Sequence, residues 1–159
     1  MDLRPLDPSD HETVLALNQG ALEGVGTLDL ERLGWIAGLA EQAVLADDGG
    51  TVAGFAITIA PGTSYDSANY RWFGGQYDDF AYLDRIVVAP GHRRRGVATL
   101  LYDTLERRAS GRGRMTLEVY AEPPNAASLA FHAARGYDEV GRLDQANGKK
   151  AAMLVKALG

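Results

Sequence analysis

The residues most suited to chemistry in this sequence are three consecutive arginines, Arg93, Arg94 and Arg95, followed by Gly96. Apolar residues recur at helical spacing from Val97 onward, which places the glycine at the N-terminus of a predicted helix. Backbone N–H groups lack intrahelical partners there and the helix dipole is positive, so the position suits an anion. Glycine lets a ligand approach the backbone, and arginine adds charge for a polyphosphate. The window therefore predicts a pyrophosphate site between a strand and a helix.

Two other interpretations of this window stay open on its residues alone. The arginines could form a solvated basic turn before a helix-capping glycine, with no ligand. They could also bind nucleic acid, but residues 92–114 hold one aromatic side chain, Tyr102, to stack on bases. The Walker and Rossmann glycine patterns are both absent.

The charge distribution favours a local anion site. The chain has a formal net charge of −5, yet residues 85–114 contain 8 arginines and 2 acidic side chains. Residues 1–84 contain 14 acidic and 3 basic side chains. A nucleic-acid surface usually comes with a basic domain, so we expect no nucleic-acid partner.

Length and composition narrow the class of protein. The 159 residues suit one domain, spanning 1–159, with a core of its own. There is no cysteine, which excludes disulfides, thiolate metal sites and a cysteine nucleophile, and we predict no metal site. The N-terminus has no apolar run, and no stretch reaches the length of a membrane span. We therefore expect a cytoplasmic protein with no membrane partner.

Periodicity and turn residues predict the elements that position these residues. The predicted order is β-α-α-β-β-β-α-β-α-β-β, a mixed α/β sheet covered by helices. Asp29 and Asn125 are expected N-caps, Gly136 is expected to end a helix, and a strand at 79–88 precedes the arginines. Residues 60–78 show no regular pattern and are predicted to be a long irregular loop.

Two segments of this chain resemble motifs of the GNAT superfamily of N-acetyltransferases. Residues 83–105, LDRIVVAPGHRRRGVATLLYDTL, are similar to its motif A, whose Arg/Gln-x-x-Gly-x-Gly/Ala signature matches Arg93 to Ala98. Residues 125–141, NAASLAFHAARGYDEVG, are similar to its motif B, Asn-x-x-Ser/Ala-x-x-Leu/Phe-Tyr/His-x-x-x-Gly-Phe/Tyr. The element order agrees over nearly the whole chain. The resemblance implies a GNAT-type mixed, mostly antiparallel central sheet with a splayed parallel strand pair, flanked by helices.

The resemblance also implies an activity. A protein of this kind moves an acetyl group from acetyl-CoA to a primary amine by direct attack in a ternary complex. The missing cysteine agrees with a mechanism that forms no covalent enzyme intermediate. The alternative is a non-catalytic acyl-CoA-binding sensor with the same fold.

The implied cofactor residues form three groups along the two motifs. The loop and first helical turn would hold the pyrophosphate through backbone amides, and the preceding strand would run beside the pantetheine arm and aim an N–H at the thioester oxygen. Residues of motif B would lie near the thiol end, although Asn125 could be a plain N-cap and Phe131 could be core packing. The implied cofactor residues are Ile86, Val87, Val88, Arg93, Arg94, Arg95, Gly96, Val97, Ala98, Asn125, Ser128 and Phe131.

Three residues match the places where relatives carry catalytic groups. Tyr82 and Asp84 lie two apart, on one face of the strand that usually supplies the base. Asp84 is a carboxylate in an otherwise apolar strand, and its alternative role is a salt bridge with Arg71 or with Arg85, which is expected on the opposite face. His132 stands where a tyrosine is the usual general acid, and it could protonate the thiolate, hydrogen-bond the cofactor, or be a satisfied helix histidine.

The acceptor site is predicted from the aromatic and acidic residues of the 60–78 segment and its flank. Such residues suit a cationic amine, and they suit a packed lid equally well. We expect a small-molecule or peptide amine to contact Tyr70, Trp72, Tyr77 and Asp79. A homodimer, formed through a free sheet edge beside the strand at 151–155, is an open alternative.

Overall fold

A computed structural model describes all 159 residues, as seven strands, five α-helices and three single-turn 3-10 helices joined by turns and loops. The strands are β1 (Asp2–Pro5), β2 (Ala40–Asp48), β3 (Thr51–Ile59), β4 (Ala81–Val88), β5 (Arg114–Glu122), β6 (Asp138–Asp144) and β7 (Lys150–Ala157). The helices are α1 (His11–Gln19), α2 (Leu30–Leu39), α3 (Ala68–Gln76), α4 (Val97–Arg108) and α5 (Ala126–Arg135). None of these helices combines the length and the apolar composition that crossing a membrane requires.

The seven strands form one sheet in the order β1-β2-β3-β4-β5-β7-β6. All neighbours are antiparallel except β4 and β5, which are parallel. This confirms the predicted mixed, mostly antiparallel sheet. The predicted free edge beside the strand at 151–155 is wrong, because β7 lies inside the sheet with β5 on one side and β6 on the other. Its residues Ala151, Ala152 and Met153 are fully buried and pair with residues of both neighbouring strands.

The parallel strands β4 and β5 separate after a short paired stretch. Their register joins Ala81 to Met115 and Tyr82 to Thr116, and no later residues of the two strands pair. β4 stays paired with β3 as far as Val88. The edge of β4 that faces β5 therefore has backbone N–H and C=O groups free to bind a ligand in the opening.

A β-bulge interrupts β4 within this opening. Arg85 pairs with Ile57 and Leu83 pairs with Thr58, so Asp84 is the extra residue with no partner on β3. A bulge breaks the alternation of side chains along a strand. The expectation that Arg85 points away from Asp84 is therefore wrong, since both side chains lie on the face that α1 and α2 cover.

Each face of the sheet has its own apolar core. On one face, α1, α2 and α3 contribute Val14, Leu33, Ile36 and Phe73. On the other face, α4 packs with residues such as Leu101 and Leu105. The opening between β4 and β5 connects these two layers, and it is the only parallel junction in the sheet.

The structure corrects the predicted loop at 60–78, because this segment contains α3. Ser67 caps the helix by accepting a hydrogen bond from the Tyr70 backbone N–H. Two adjacent glycines and several aromatic residues give the segment low intrinsic helix propensity. The helix is instead stabilised by tertiary packing, since Tyr70 and Phe73 are buried against the sheet. The predicted N-caps Asp29 and Asn125 are confirmed, and Gly136 ends α5 with a φ of 98°.

Candidate active site

Two cavities meet where β4 and β5 separate. We call the first the β4 groove, a cavity of about 240 Å³ between the two strands and helices α4 and α5. We call the second the polar cavity, about 270 Å³ in volume, walled by residues 24–27 and by polar side chains of the sheet and α3. Asp84, Arg85, Glu118 and Tyr120 line both cavities. A group bound in the β4 groove therefore lies next to a group bound in the polar cavity.

The N-terminus of α4 stands at one end of the β4 groove with no side-chain cap. Gly96 is the N-cap residue, with a φ of 78° that favours glycine, and a Cβ added there would meet no other atom within 4 Å. Arg94 has a φ of 62°, the only positive φ outside glycine, and such strain concentrates at functional loops. The side chain of Arg93 lines the groove and has one weak acidic partner, Glu23, at 4.0 Å. The first-turn N–H groups and the arginines are thus available to an anion.

The predicted cofactor residues divide between the groove wall and its end. Those that line the groove are Ile86, Val87, Val88, Arg93, Asn125 and Ser128. Those at the start of α4 are Arg94, Arg95, Gly96, Val97 and Ala98. Asn125 also accepts a hydrogen bond from the Ser128 N–H, so it is both an N-cap and a groove residue. Phe131 lies outside the groove and packs on Tyr102, with 5.3 Å between ring centroids, as expected for a core residue.

These features fit an elongated ligand with a polyanionic end. The uncapped helix N-terminus and the arginines suit a pyrophosphate. The unpaired edge of β4 suits an amide-containing arm, because its backbone groups can pair with the amides as a neighbouring strand would. Acyl-CoA has both parts, so the residues of this chain fit that donor.

Glu118 is a functional candidate that the sequence pattern did not single out. It lies on β5, is half-buried, and lines both cavities. The Tyr82 hydroxyl donates to its carboxylate at 2.7 and 2.9 Å, and the Asn69 Nδ2 donates to Oε1 at 2.9 Å. Loss of solvation raises the pKa of Glu118 to about 7, against the opposing effect of the Tyr82 hydrogen bond. A carboxyl group with this pKa can take up a proton near neutral pH.

One signal in the sequence could have found Glu118. It is the single carboxylate in the LEVYA part of β5, as Asp84 is in β4. Side chains alternate along a strand, so Glu118 shares a face with Thr116 and Tyr120 and opposes the apolar Leu117 and Val119. The argument that selected Asp84 applies equally to this residue.

Asp84 lines both cavities, but its two carboxylate oxygens are engaged. Oδ1 accepts from the Tyr65 hydroxyl at 2.5 Å and Oδ2 accepts from the Arg85 Nε at 2.7 Å. Its side chain is only 4% exposed. Arg85 also donates to Asn18 Oδ1 at 2.9 Å and to the Gly26 carbonyl at 3.0 Å. The salt bridge with Arg85 is thus formed, and neither carboxylate oxygen of Asp84 is left without a partner.

His132 lies in the groove wall and has both ring nitrogens engaged. Nδ1 is 2.7 Å from the Ser128 carbonyl oxygen, and Nε2 is 2.5 Å from the Tyr102 hydroxyl. Burial lowers the pKa of His132, which favours the neutral ring. In the neutral ring Nδ1–H donates to Ser128 and Nε2 accepts from Tyr102, a tautomer assigned from these partners. A direct proton donor needs a free N–H, and the neutral ring has none.

The predicted acceptor residues lie outside both cavities. Tyr70 is buried and its hydroxyl donates to the Ala60 carbonyl at 2.6 Å. Asp79 pairs with Arg112 at 3.1 Å. The indole of Trp72 packs on the backbone of β6. The ring centroid of Tyr77 lies 4.3 Å from the guanidinium carbon of Arg114. These four side chains shape α3 and its flanks, whereas the polar cavity is lined by others, among them Arg32, Tyr65, Ser67 and Asn69.

Comparison with solved structures finds the same architecture in N-acetyltransferases. The ribosomal-protein-S18-alanine N-acetyltransferase from Escherichia coli is 19% identical, with a TM-score of 0.74 over 99% of this chain and 94% of that one. The structure of yncA, a putative acetyltransferase from Salmonella typhimurium with its cofactor acetyl-CoA, is 20% identical, with a TM-score of 0.71 over 100% and 94%. Naa20 from Chaetomium thermophilum, in complex with a bisubstrate analogue, is 22% identical, with a TM-score of 0.76 over 99% and 87%. These likenesses show the fold.

Comparison by sequence shows the family. No curated protein matches the chain significantly. The profile of the acetyltransferase (GNAT) family, however, matches residues 12–137. This range includes motif A, motif B as far as Tyr137, the wall that the two cavities share and the start of α4. The chain therefore belongs to the acetyltransferase (GNAT) family, whose acyl donor is acetyl-CoA.

Proposed function

We propose that this protein transfers an acetyl group from acetyl-CoA to a primary amine of a small molecule or peptide, by direct attack in a ternary complex. The observation that carries the proposal is the shared wall of the two cavities. The β4 groove has the features of a donor site, and Glu118 lies between it and the polar cavity. An amine held in the polar cavity would therefore lie beside the acyl end of the donor.

The donor would be held along the whole β4 groove. Gly96, Val97 and Ala98 would offer backbone N–H groups to the pyrophosphate, and the three arginines would add charge. The free edge of β4 at Ile86 to Val88 would pair with the pantetheine amides. A β4 N–H beside the opening would stabilise the thioester oxygen as negative charge develops on it.

Glu118 would act as the general base. It would accept a proton from the amine as the nitrogen bonds to the acyl carbon and the carbon–sulfur bond breaks. Tyr82 and Asn69 would hold its carboxylate toward the cavities through their hydrogen bonds. Asp84, predicted as the base, would instead position Arg85 and Tyr65.

The test is the variant Glu118→Gln, which keeps the shape of the side chain and removes the base. With a panel of amines and free-thiol release as the readout, we expect kcat/KM to fall roughly 10²- to 10⁴-fold. Acetyl-CoA affinity, measured by calorimetry, should stay unchanged. Glu122→Gln is the matched control, because Glu122 is an exposed residue at the end of the same strand.

Each other outcome has a definite meaning. Unchanged kcat/KM in Glu118→Gln would show that another group, or water, accepts the proton. If wild-type protein binds acetyl-CoA but releases no thiol with any amine, the non-catalytic sensor replaces the enzyme. If acetyl-CoA neither binds nor stabilises the protein, the proposed donor site is wrong.

A further inference from the structure

Tyr102 and His132 form a buried pair that reaches the β4 groove from two different helices. Tyr102 lies on α4 and His132 on α5, and the hydroxyl is 2.5 Å from Nε2. The side chains are 2% and 5% exposed, yet both line the groove. The Tyr102 hydroxyl makes no second hydrogen bond within the protein, and its side chain lines the groove.

We propose that Tyr102 gives its hydroxyl proton to the sulfur that leaves in acetyl transfer, and that His132 replaces that proton. This inference rests on the proposed function. It assigns the proton-donor role to a side chain of α4 that lies outside the Arg93 to Ala98 signature of motif A. His132, predicted as the donor, becomes the residue behind it.

The hydrogen bonds allow two arrangements of the pair. With a neutral ring, Tyr102 donates to Nε2 and its proton points away from the groove. With a protonated ring, Nδ1–H still donates to the Ser128 carbonyl, and Nε2–H donates to the Tyr102 oxygen. The hydroxyl then rotates and presents its proton to the groove.

The transfer balances within the pair. The electron pair of the broken carbon–sulfur bond stays on sulfur, where it takes the proton from Tyr102. The O–H bond breaks as the S–H bond forms, and the proton on Nε2 moves to the phenol oxygen. The pair ends as neutral His132 and intact Tyr102. Glu118 holds the proton that the amine lost, and its release to solvent balances the recharging of His132.

The groups around the Tyr102–His132 pair carry charges of both signs. Glu106 lies one turn along α4 from Tyr102 and pairs with Arg135 and with Lys156 of β7, so its charge is largely compensated. The Arg135 guanidinium lies 5.2 Å from the centroid of the Tyr102 ring. Glu118 on β5 and the Tyr137 phenol complete the titratable groups that face the pair. Burial raises the pKa of Tyr102 and lowers that of His132, so the protonated ring is a minor form at neutral pH and declines as pH rises.

The decisive measurement is the pKa of the CoA thiol when CoA is bound, read from thiolate absorbance. A hydroxyl aimed at sulfur stabilises the thiolate, so we expect the bound thiol to have a lower pKa than free CoA. Tyr102→Phe should raise it by roughly one unit, a tenfold change, and reduce kcat roughly 10²-fold or more. Binding of S-methyl-CoA, which has no thiolate, should not change. Tyr137→Phe is the control, because it removes a neighbouring phenol that bonds Glu106 and does not line the groove.

A second measurement requires no variant, should Tyr102→Phe fold poorly. The imidazole ¹⁵N shifts of His132 in wild-type protein should report an unprotonated Nε2 in the free protein and a protonated Nε2 when CoA thiolate binds. An Nε2 that stays unprotonated, or equal thiol pKa values in Tyr102→Phe and Tyr137→Phe, would overturn the inference. Acetyl transfer by wild-type protein would survive that result, so failure here differs from failure of the proposed function.

Discussion

At the scale of single residues, the candidate site shows how partners decide what a carboxylate can do. Asp84 and Glu118 both lie in the opening between β4 and β5. Asp84 has a guanidinium and a phenol on its two oxygens, whereas Glu118 has a phenol and an amide and no cation. A cation stabilises the charge of a buried carboxylate more than a neutral hydrogen-bond donor does. Glu118 is therefore the carboxylate whose proton is exchangeable near neutral pH.

The raised pKa of Glu118 predicts how stability depends on pH. Its pKa of about 7 in the folded protein exceeds its ordinary value of 4.5, so the folded state binds the proton more tightly than the unfolded state. The stabilisation that the folded protein gains from protonated Glu118 is complete below pH 4.5 and is lost as pH rises through about 7. We expect Glu118→Gln to be more stable than wild type at pH 8, with the difference vanishing toward pH 5. Urea unfolding at both pH values measures it, and lower stability of the variant at pH 8 would contradict it.

At the scale of elements, the β4 bulge links the strand to the wall of the polar cavity. It turns Arg85 toward α1, where the guanidinium holds Asn18 and the Gly26 carbonyl. Gly26 belongs to the connection between α1 and α2, whose residues 24–27 line the polar cavity. An irregularity in one strand thus positions a loop that is distant in sequence.

The variant Asn18→Ala tests this link. Asn18 is fully buried, and its removal leaves an Arg85 N–H without its acceptor and takes one of two donors from the Gly26 carbonyl. We expect the free energy of unfolding to fall by about 1–3 kcal/mol and the KM for the amine to rise several-fold, with acetyl-CoA affinity nearly unchanged. Steady-state kinetics with calorimetry measure this. Arg4→Ala, which breaks ion pairs on β1 and lines neither cavity, should lower stability without raising the KM.

At the scale of the whole molecule, a second buried polar cluster joins the helical layer to the sheet. Glu106 on α4 accepts hydrogen bonds from Arg135 on α5, from Lys156 on β7 and from the Tyr137 hydroxyl. These three partners hold together the elements behind the β4 groove. Burial alone would raise the pKa of Glu106, but the bonds from Arg135, Lys156 and Tyr137 outweigh it and lower the pKa.

The variant Glu106→Gln should weaken the packing of these layers. A lowered pKa means that the stabilisation is present above the ordinary glutamate pKa and is lost as pH falls through the value in the folded protein. We therefore expect a loss of about 1–3 kcal/mol in the free energy of unfolding at pH 7, shrinking in acid. Chemical unfolding against pH measures it. A loss that does not depend on pH would mean that the Glu106 charge contributes nothing.

The sequence by itself determined the features that depend on neighbouring residues. The strand before the arginines, the helix after Gly96 and the caps Asp29 and Asn125 follow from local periodicity and from the preferences of single residues for helix ends. The two motifs, which are short and local as well, identified the family and many of the residues that line the β4 groove. Groove residues such as Ile86 and Ser128 were accordingly predictable.

The tertiary structure decided whatever depends on contacts between distant segments. α3 is held by packing and not by propensity, and β7 is inserted between two strands by long-range pairing. The bulge that turns Arg85 toward Asp84 arises from pairing with β3, and the separation of β4 from β5 opens both cavities. A proton-exchanging carboxylate is defined by the groups that surround it, and those of Glu118 come from β4 and α3. Its selection over Asp84 therefore required the folded arrangement.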